Sequence, residues 1–236
     1  MNAEASESGA GSGISRVLFD LDNTLLDRAA GFERLCRELF RTGGAMERTH
    51  SEDAAVALMI EWDQSGIPLI PTLLERITDT WPDLFRDLDQ AVAVFLEMLP
   101  RMVFLDPRTR NMLEDFSDQG IACGIVTNGG TLMQRAKIEE SGLQELVASF
   151  TISQDVGVAK PDPAIFAHAL KTIGARAGTT LFVGDNPEHD VAGAKAVGMR
   201  TAWLGLGRQW PLANVTPDYT LDHVWQVRDL VLGDQR

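Results

Sequence analysis

Two carboxylates stand two residues apart in Phe19-Asp20-Leu21-Asp22-Asn23-Thr24, where an apolar run gives way to polar groups. If the chain stays extended there, Asp20 and Asp22 point to the same side. Carboxylates held that close repel, which calls for a cation between or beside them. A second polar cluster, Thr127-Asn128-Gly129-Gly130, ends the apolar run Ile121 to Val126. A third, Gly184-Asp185-Asn186-Pro187, ends the run Thr180 to Val183, and Asp185 would bring a further oxygen donor. An all-oxygen set of few carboxylates suits Mg²⁺, which keeps several waters and shares its sphere with substrate phosphate. No His or Cys adjoins Asp20, Asp22 or Asp185, which argues against zinc.

The elements that must position these groups follow from the apolar pattern. Ile14 to Phe19, Ile121 to Val126, Thr180 to Val183 and Arg200 to Leu204 predict buried strands, with Phe150 to Ile152 a short fifth. Leu132 to Ser141, ending at Gly142, and Pro163 to Ile173, opening on Pro and closing at Gly174, predict helices between them. Strands alternating with helices predict an α/β fold, a Rossmann-like parallel sheet with helices on both faces. In such sheets ligands bind at the carboxyl ends of the strands, where Asp20, Asp22, Thr127, Asn128 and Asp185 all fall.

The stretch from Arg28 to Pro100 reads differently. It carries helical patterns over Phe32 to Phe40, Glu52 to Trp62 and Leu88 to Leu99 and no convincing strand. It predicts a small all-helical domain over 28–100, inserted after the first strand. The core is then 14–27 with 101–236, and Met102 to Pro107 is the return linker. Residues 1–13, rich in Ala, Ser and Gly, read as a disordered lead without the basic start or apolar run of a secretory signal.

Composition narrows the functional classes. The 236 residues carry a net charge of −13, with 44% hydrophobic and 23% charged residues. That is a foldable composition, and its acidity argues against nucleic acid or an anionic membrane as partner. The longest run free of Asp, Glu, Lys and Arg is the 16 residues from Gln119 to Gln134, too short and too interrupted to span a bilayer. Cys36 and Cys123 lack metal or disulfide-framework spacing, so a reducing cytoplasm is the expected setting.

Each motif alone is a common turn signal. Taken in order they resemble the haloacid dehalogenase superfamily over nearly the whole chain after residue 13. Phe19-Asp20-Leu21-Asp22-Asn23-Thr24-Leu25 matches its Asp-x-Asp-x-Thr motif and Val126-Thr127-Asn128 its second. Lys160 in Gly157-Val158-Ala159-Lys160-Pro161 matches the third, and Gly184-Asp185 with Asp190 the acidic fourth. The helical insertion resembles the family's cap. The resemblance implies a phosphatase-like hydrolase in which Asp20 is the nucleophile that takes up phosphate as an aspartyl-phosphate and Asp22 is the general acid and base. It implies Mg²⁺ held by the Asp20 and Asp185 carboxylates and the Asp22 backbone carbonyl. Thr127, Asn128 and Lys160 would bind phosphoryl oxygens, with Asp190 supporting Lys160 or a metal-bound water. The site would lie between core and cap, and cap closure would exclude water.

Asp22 separates this chain from the family's dehalogenases, because an alkoxide leaving group needs a proton and a halide does not. The phosphonate-cleaving relatives use a cap lysine, and residues 28–100 contain none. A phosphomutase needs basic residues for a second phosphate. The insertion offers Arg28, Arg34, Arg37, Arg41, Arg48, Arg76 and Arg86, which read mostly as solvated helix faces. A non-catalytic binding protein of this fold would be expected to lack one of Asp20, Asp22, Lys160 or Asp185. The expected substrate is a small phosphorylated metabolite, such as a nucleoside monophosphate, a sugar phosphate or phosphoglycolate. Trp62, Trp81 and Phe32 read as helical core, the histidines as bystanders and the cysteines as small buried hydrophobes. The glycine-rich stretch from Trp203 to Trp210 either borders the site or is an ordinary loop.

Overall fold

The computed structural model describes residues 13–43, 46, 49–66 and 70–233. The expected disordered lead over 1–13 falls almost wholly outside them, as does Arg48. In chain order the elements are β1 (Arg16–Phe19), α1 (Arg28–Gly43), α2 (Glu52–Asp63), α3 (Ile70–Thr80), α4 (Leu88–Met102) and α5 (Pro107–Asp118). Next come β2 (Ala122–Thr127), α6 (Thr131–Glu140), β3 (Ser149–Ile152), α7 (Ser153–Val156) and α8 (Pro163–Ile173). The chain closes with β4 (Thr180–Gly184), α9 (Gly193–Ala196), β5 (Arg200–Leu204), β6 (Tyr219–Leu221) and α10 (Val227–Leu232).

Two compact units result: Met1–Leu25 with Asp106–Gly130 and Gln144–Arg236, and Leu26–Leu105 with Thr131–Leu143. The first holds a six-stranded sheet in the order β3-β2-β1-β4-β5-β6, parallel throughout. Val17, Leu18 and Phe19 of the central strand are all buried, as a strand covered on both faces requires. After β3 the chain crosses to the other side of β1, so the topological switch lies between β1 and β4. Pairing Phe19 with Val183 sets the ends of those two strands side by side.

Local signals hold the flanking helices in place. At α8, Asp162 accepts from the Ala164 N–H at 2.8 Å, Pro163 occupies the first turn, and Gly174 closes the helix at φ +66°. Its Ile165, Phe166, Ala169 and Leu170 pack with Leu18, Val126 and Phe182, with the Phe166 and Phe182 rings edge to face at 5.2 Å. Asp106 and Pro107 start α5 in the same way, and Met112, Leu113 and Phe116 are its buried side.

Among the described residues the second unit is built of helices, α6 together with α1 to α4, apart from a bridge between Leu26 and Leu105. Its core gathers Phe32, Leu35, Leu74, Trp81 and Phe95, joined by Met133 of α6. Trp62 and Trp81 lie 5.7 Å apart within this core, where the periodicity puts them. Arg28 departs from the expected solvated face. Only 8% exposed, it forms a two-pronged ion pair with buried Asp63 at 2.6 and 2.7 Å. Arg34 donates to the Met102 carbonyl, and Arg37 is tied to Glu33, Glu52 and Asp53. Cys36 and Cys123 are both buried, and burial pushes the Cys123 thiol up to about 12. Among the described residues no helix is long and apolar enough to cross a membrane.

Candidate active site

The chain leaves β1 at Phe19 and does not stay extended. It turns at once, with the Thr24 and Leu25 N–H groups donating to the Leu21 carbonyl and Asn23 in the left-handed region at φ +58°. The expectation for Asp20 and Asp22 rests on extended chain, and here a turn starts at Leu21, directly after Asp20. The carboxylates that gather are instead Asp20, Asp185 and Asp190, each offering an oxygen within 4.8 Å of the others. Asp22 lies in the turn, outside that group.

Asp20 is fixed by its backbone. Its N–H donates to the Val183 carbonyl at 2.9 Å, carrying the β1–β4 ladder one step past the strand and bringing it beside Gly184-Asp185. Beyond β4 the chain forms a π-helical turn over Pro187–Ala192. The Asn186 side chain accepts from the Glu188 and His189 N–H groups, while its own N–H donates to Asp190 Oδ2 at 2.9 Å. Turns of this rare type are frequent at functional sites. Asp190 reaches back over Gly184, where an added Cβ would stand 2.3 Å from Asp190 Oδ2. Only glycine leaves room for that approach.

Lys160 is the hub. Its Nζ donates to Asp20 Oδ1 at 2.6 Å and to Asp190 Oδ1 at 2.7 Å, and the residue is 4% exposed, unlike the surface lysine common before a proline. Asn128 places it. The Asn128 side-chain amide donates to the Lys160 carbonyl at 2.9 Å and accepts from the Lys160 N–H at 2.8 Å, clamping the loop after α7 to the end of β2. Both ends of the Asn128 side-chain amide are thereby engaged by the lysine loop. Buried Thr127 sits beside it at the end of β2. Thr24 Oγ1 lies 3.4 Å from Asp20 Oδ2, a long hydrogen bond.

Three acids facing one lysine make the site electrostatically uneven. Burial raises Asp20 to about 8, against the pull of Lys160 and with the push of Asp190 and Asp185. Asp185 is raised to about 6, first by burial and then by Asp190, with Arg208 opposing. Burial alone would lower Lys160, but Asp190 and Asp20 outweigh it and hold the lysine charged. Buried carboxylates with an unmet demand for positive charge are what a divalent cation satisfies, and an all-oxygen donor set fits Mg²⁺.

The stretch after β5 borders the site. Trp203 Nε1 donates to the Asp185 carbonyl at 3.0 Å, and Arg208 reaches both that carbonyl and the Asp185 carboxylate. The sequence of Trp203 to Trp210 fits either a site border or an ordinary loop, and Arg208 carries no local mark beyond following Gly-Leu-Gly. His189 is exposed and enters no part of this cluster.

The chain is similar to known proteins. The sequence profile described as haloacid dehalogenase-like hydrolase matches residues 14–198. A phosphoserine phosphatase of Thermus thermophilus is 34% identical over 153 residues, 65% of this chain and 59% of that enzyme. The pyrimidine 5'-nucleotidase YjjG of Escherichia coli is 33% identical over 219 residues, 91% of this chain and 96% of its own. The crystal structure of a HAD phosphatase from Thermococcus onnurineus superposes with a TM-score of 0.67 at 25% identity, covering 94% of this chain and all of that one.

Proposed function

The chain belongs to the haloacid dehalogenase-like hydrolases, and from that premise we propose that it is a Mg²⁺-dependent phosphatase of a small phosphomonoester. The observation that carries the reading is Lys160 bridging Asp20 and Asp190, with Asp185 beside them, at the switch point of the sheet. Relatives named as phosphatase and nucleotidase support the phosphoryl class.

Asp20 attacks phosphorus, forming the O–P bond of an aspartyl-phosphate as the bond to the leaving alkoxide breaks. Asp22 gives that alkoxide its proton and then takes one from the water that hydrolyses the acyl phosphate. A positioned acid and base of this kind contributes about 10²–10⁴-fold. Lys160 holds Asp20 by one oxygen and offsets the charge of the incoming phosphoryl group. The Thr127 hydroxyl and the Asn128 backbone N–H bind a phosphoryl oxygen. Asp190 keeps Lys160 in place. Asp20 and Asp185, with the Asp22 carbonyl, would hold Mg²⁺, which when bound neutralises charge on nucleophile and phosphate alike.

The helical unit is read as the family's cap, whose side chains set substrate choice. A mutase needs cations in that unit for a second phosphate. Arg28 is already paired with Asp63, Arg37 with three acids and Arg86 with Asp87, which favours the hydrolase. The test is phosphate release from nucleoside monophosphates, sugar phosphates, phosphoserine and phosphoglycolate, with Mg²⁺ and with chelator. Metal-dependent release that Asp20→Asn abolishes is expected. Release indifferent to that substitution overturns the assignment.

A further inference from the structure

We propose that Arg208 is a positioning residue for Asp185, holding its carboxylate in the rotamer that joins Asp20 and Asp190 in the cation site. The inference rests on the reading of Asp185 as a Mg²⁺ ligand and concerns what keeps that ligand in place.

Three carboxylates with oxygens within 4.8 Å of one another repel, and Asp185 is the least buried of them. Unrestrained, it would turn away towards water. Arg208 opposes that. Its Nη2 donates to the Asp185 backbone carbonyl at 2.7 Å and to Asp185 Oδ2 at 3.2 Å, so a single nitrogen grips main chain and side chain of the same residue. Of the two carboxylate oxygens it engages Oδ2. Trp203 Nε1 donates to the same carbonyl from β5 at 3.0 Å.

The loop is shaped to deliver this grip. Arg208 N–H donates to the Gly205 carbonyl at 2.9 Å, closing a turn in which Leu206 and Gly207 have φ of +50° and +78°. That is the primed-turn geometry, costly for the exposed Leu206, which has a β-carbon. Arg208 Nε then donates to Gly205 O at 3.0 Å and Nη2 to Leu204 O at 3.2 Å, and the guanidinium lies over the Trp203 ring. The arginine side chain is about half exposed, so a bare ion pair with Asp185 would count for little. Its several fixed bonds and the planar fork give it direction as well as charge.

The experiment is Mg²⁺ titration by calorimetry without substrate, on the full chain and on Arg208→Met, Arg208→Lys and Asp185→Asn. Groups that orient a metal ligand typically cost about 10–100-fold in metal affinity when removed. Arg208→Met is expected to weaken Mg²⁺ binding by about that factor, with Arg208→Lys recovering part of it as a point charge on Oδ2. Unchanged affinity, with only a lower melting temperature in chelator, would mean the arginine merely holds its loop, and overturns the inference. Tighter binding in Arg208→Met would mean it only competes as a charge, which also overturns it. Should that variant not fold, Arg208→Gln takes its place with the same expected weakening, no change again overturning the inference. Wild type that binds no Mg²⁺, or Asp185→Asn that binds it equally, would bring down the metal reading itself and this inference with it. Wild-type binding that Asp185→Asn abolishes and Arg208→Met leaves intact would overturn the inference alone.

Discussion

Replacing Lys160 with methionine keeps most of the apolar stem of the side chain and removes the cation from among three carboxylates. Two charge-assisted bonds are lost, at 2.6 Å to Asp20 and 2.7 Å to Asp190, in a setting where lysine and both acids are less than a tenth exposed. Removing one partner of a buried ionic cluster costs about 3–5 kcal/mol, because the remaining charges are left uncompensated. The cost must depend on pH. Asp20 is already raised to about 8, and without the pull of Lys160 it rises further. At pH 6 wild type and variant both hold a proton on Asp20 that the unfolded chain has released, while near pH 8 the wild type begins to lose it and the variant keeps it. Each such proton shifts stability by about 1.4 kcal/mol per pH unit. Urea unfolding of wild type and Lys160→Met, in chelator at pH 6 and pH 8, reads the difference directly. The expected loss is about 3–5 kcal/mol at pH 8, smaller at pH 6, and smaller again when Mg²⁺ supplies the missing charge. A loss below about 1 kcal/mol at pH 8, or one equal at the two pH values, would refute the account of Lys160 as the charge that holds the site together.

Other perturbations follow from the same geometry. Gly184→Ala would press a methyl group to within 2.3 Å of Asp190 Oδ2, displacing the acid that steadies Lys160. Since a 1 Å misplacement can cost about 10²-fold, kcat is expected to fall on that order, and unchanged steady-state kinetics would contradict the close packing. Asn128→Ala deletes both bonds of the clamp on Lys160 and should cost about 1–3 kcal/mol in chemical denaturation, with a fall in kcat, whereas a neutral substitution would show the clamp to be idle. For the metal-free wild type, the raised Asp185 (about 6) and Asp20 (about 8) contribute stability that is full below the unfolded carboxylate range and is lost as pH climbs through those values. Their contribution to the melting temperature in chelator should therefore fall between pH 6 and pH 8. The gain on adding Mg²⁺ should grow over the same interval as metal displaces protons, and a gain independent of pH would contradict the shifts.

Much of the sheet was legible because each central strand is an apolar run stopped by the polar residues that matter. Arg200–Leu204 and Pro163–Ile173 have the bounds that their flanking glycines and prolines mark. The strand β6 gave no such sign: Tyr219–Leu221 is three residues long at the sheet's edge and only half-buried, so it needs no apolar run. The stretch Asp106-Pro107 read as the end of a linker, although it caps α5. Helical periodicity says which face of α6 is apolar but not which body that face joins, and Met133 packs in the helical unit. At the site, residue types pointed to Asp20, Asp185 and Lys160, but their partners depend on contacts across 140 and 30 positions of chain. The same holds for Arg208, whose relation to Asp185 exists only once β4 and β5 are paired.

The central claim is that Asp20 carries the phosphoryl group in a covalent intermediate. Rapid acid quench during turnover, followed by mass spectrometry of the peptide containing Asp20, tests it most directly. The account predicts a phosphoryl adduct on Asp20 that hydroxylamine removes, that needs Mg²⁺, and that is absent from Asp20→Asn. Turnover with no adduct at any quench time, together with an Asp20→Asn variant that still releases phosphate, would contradict it.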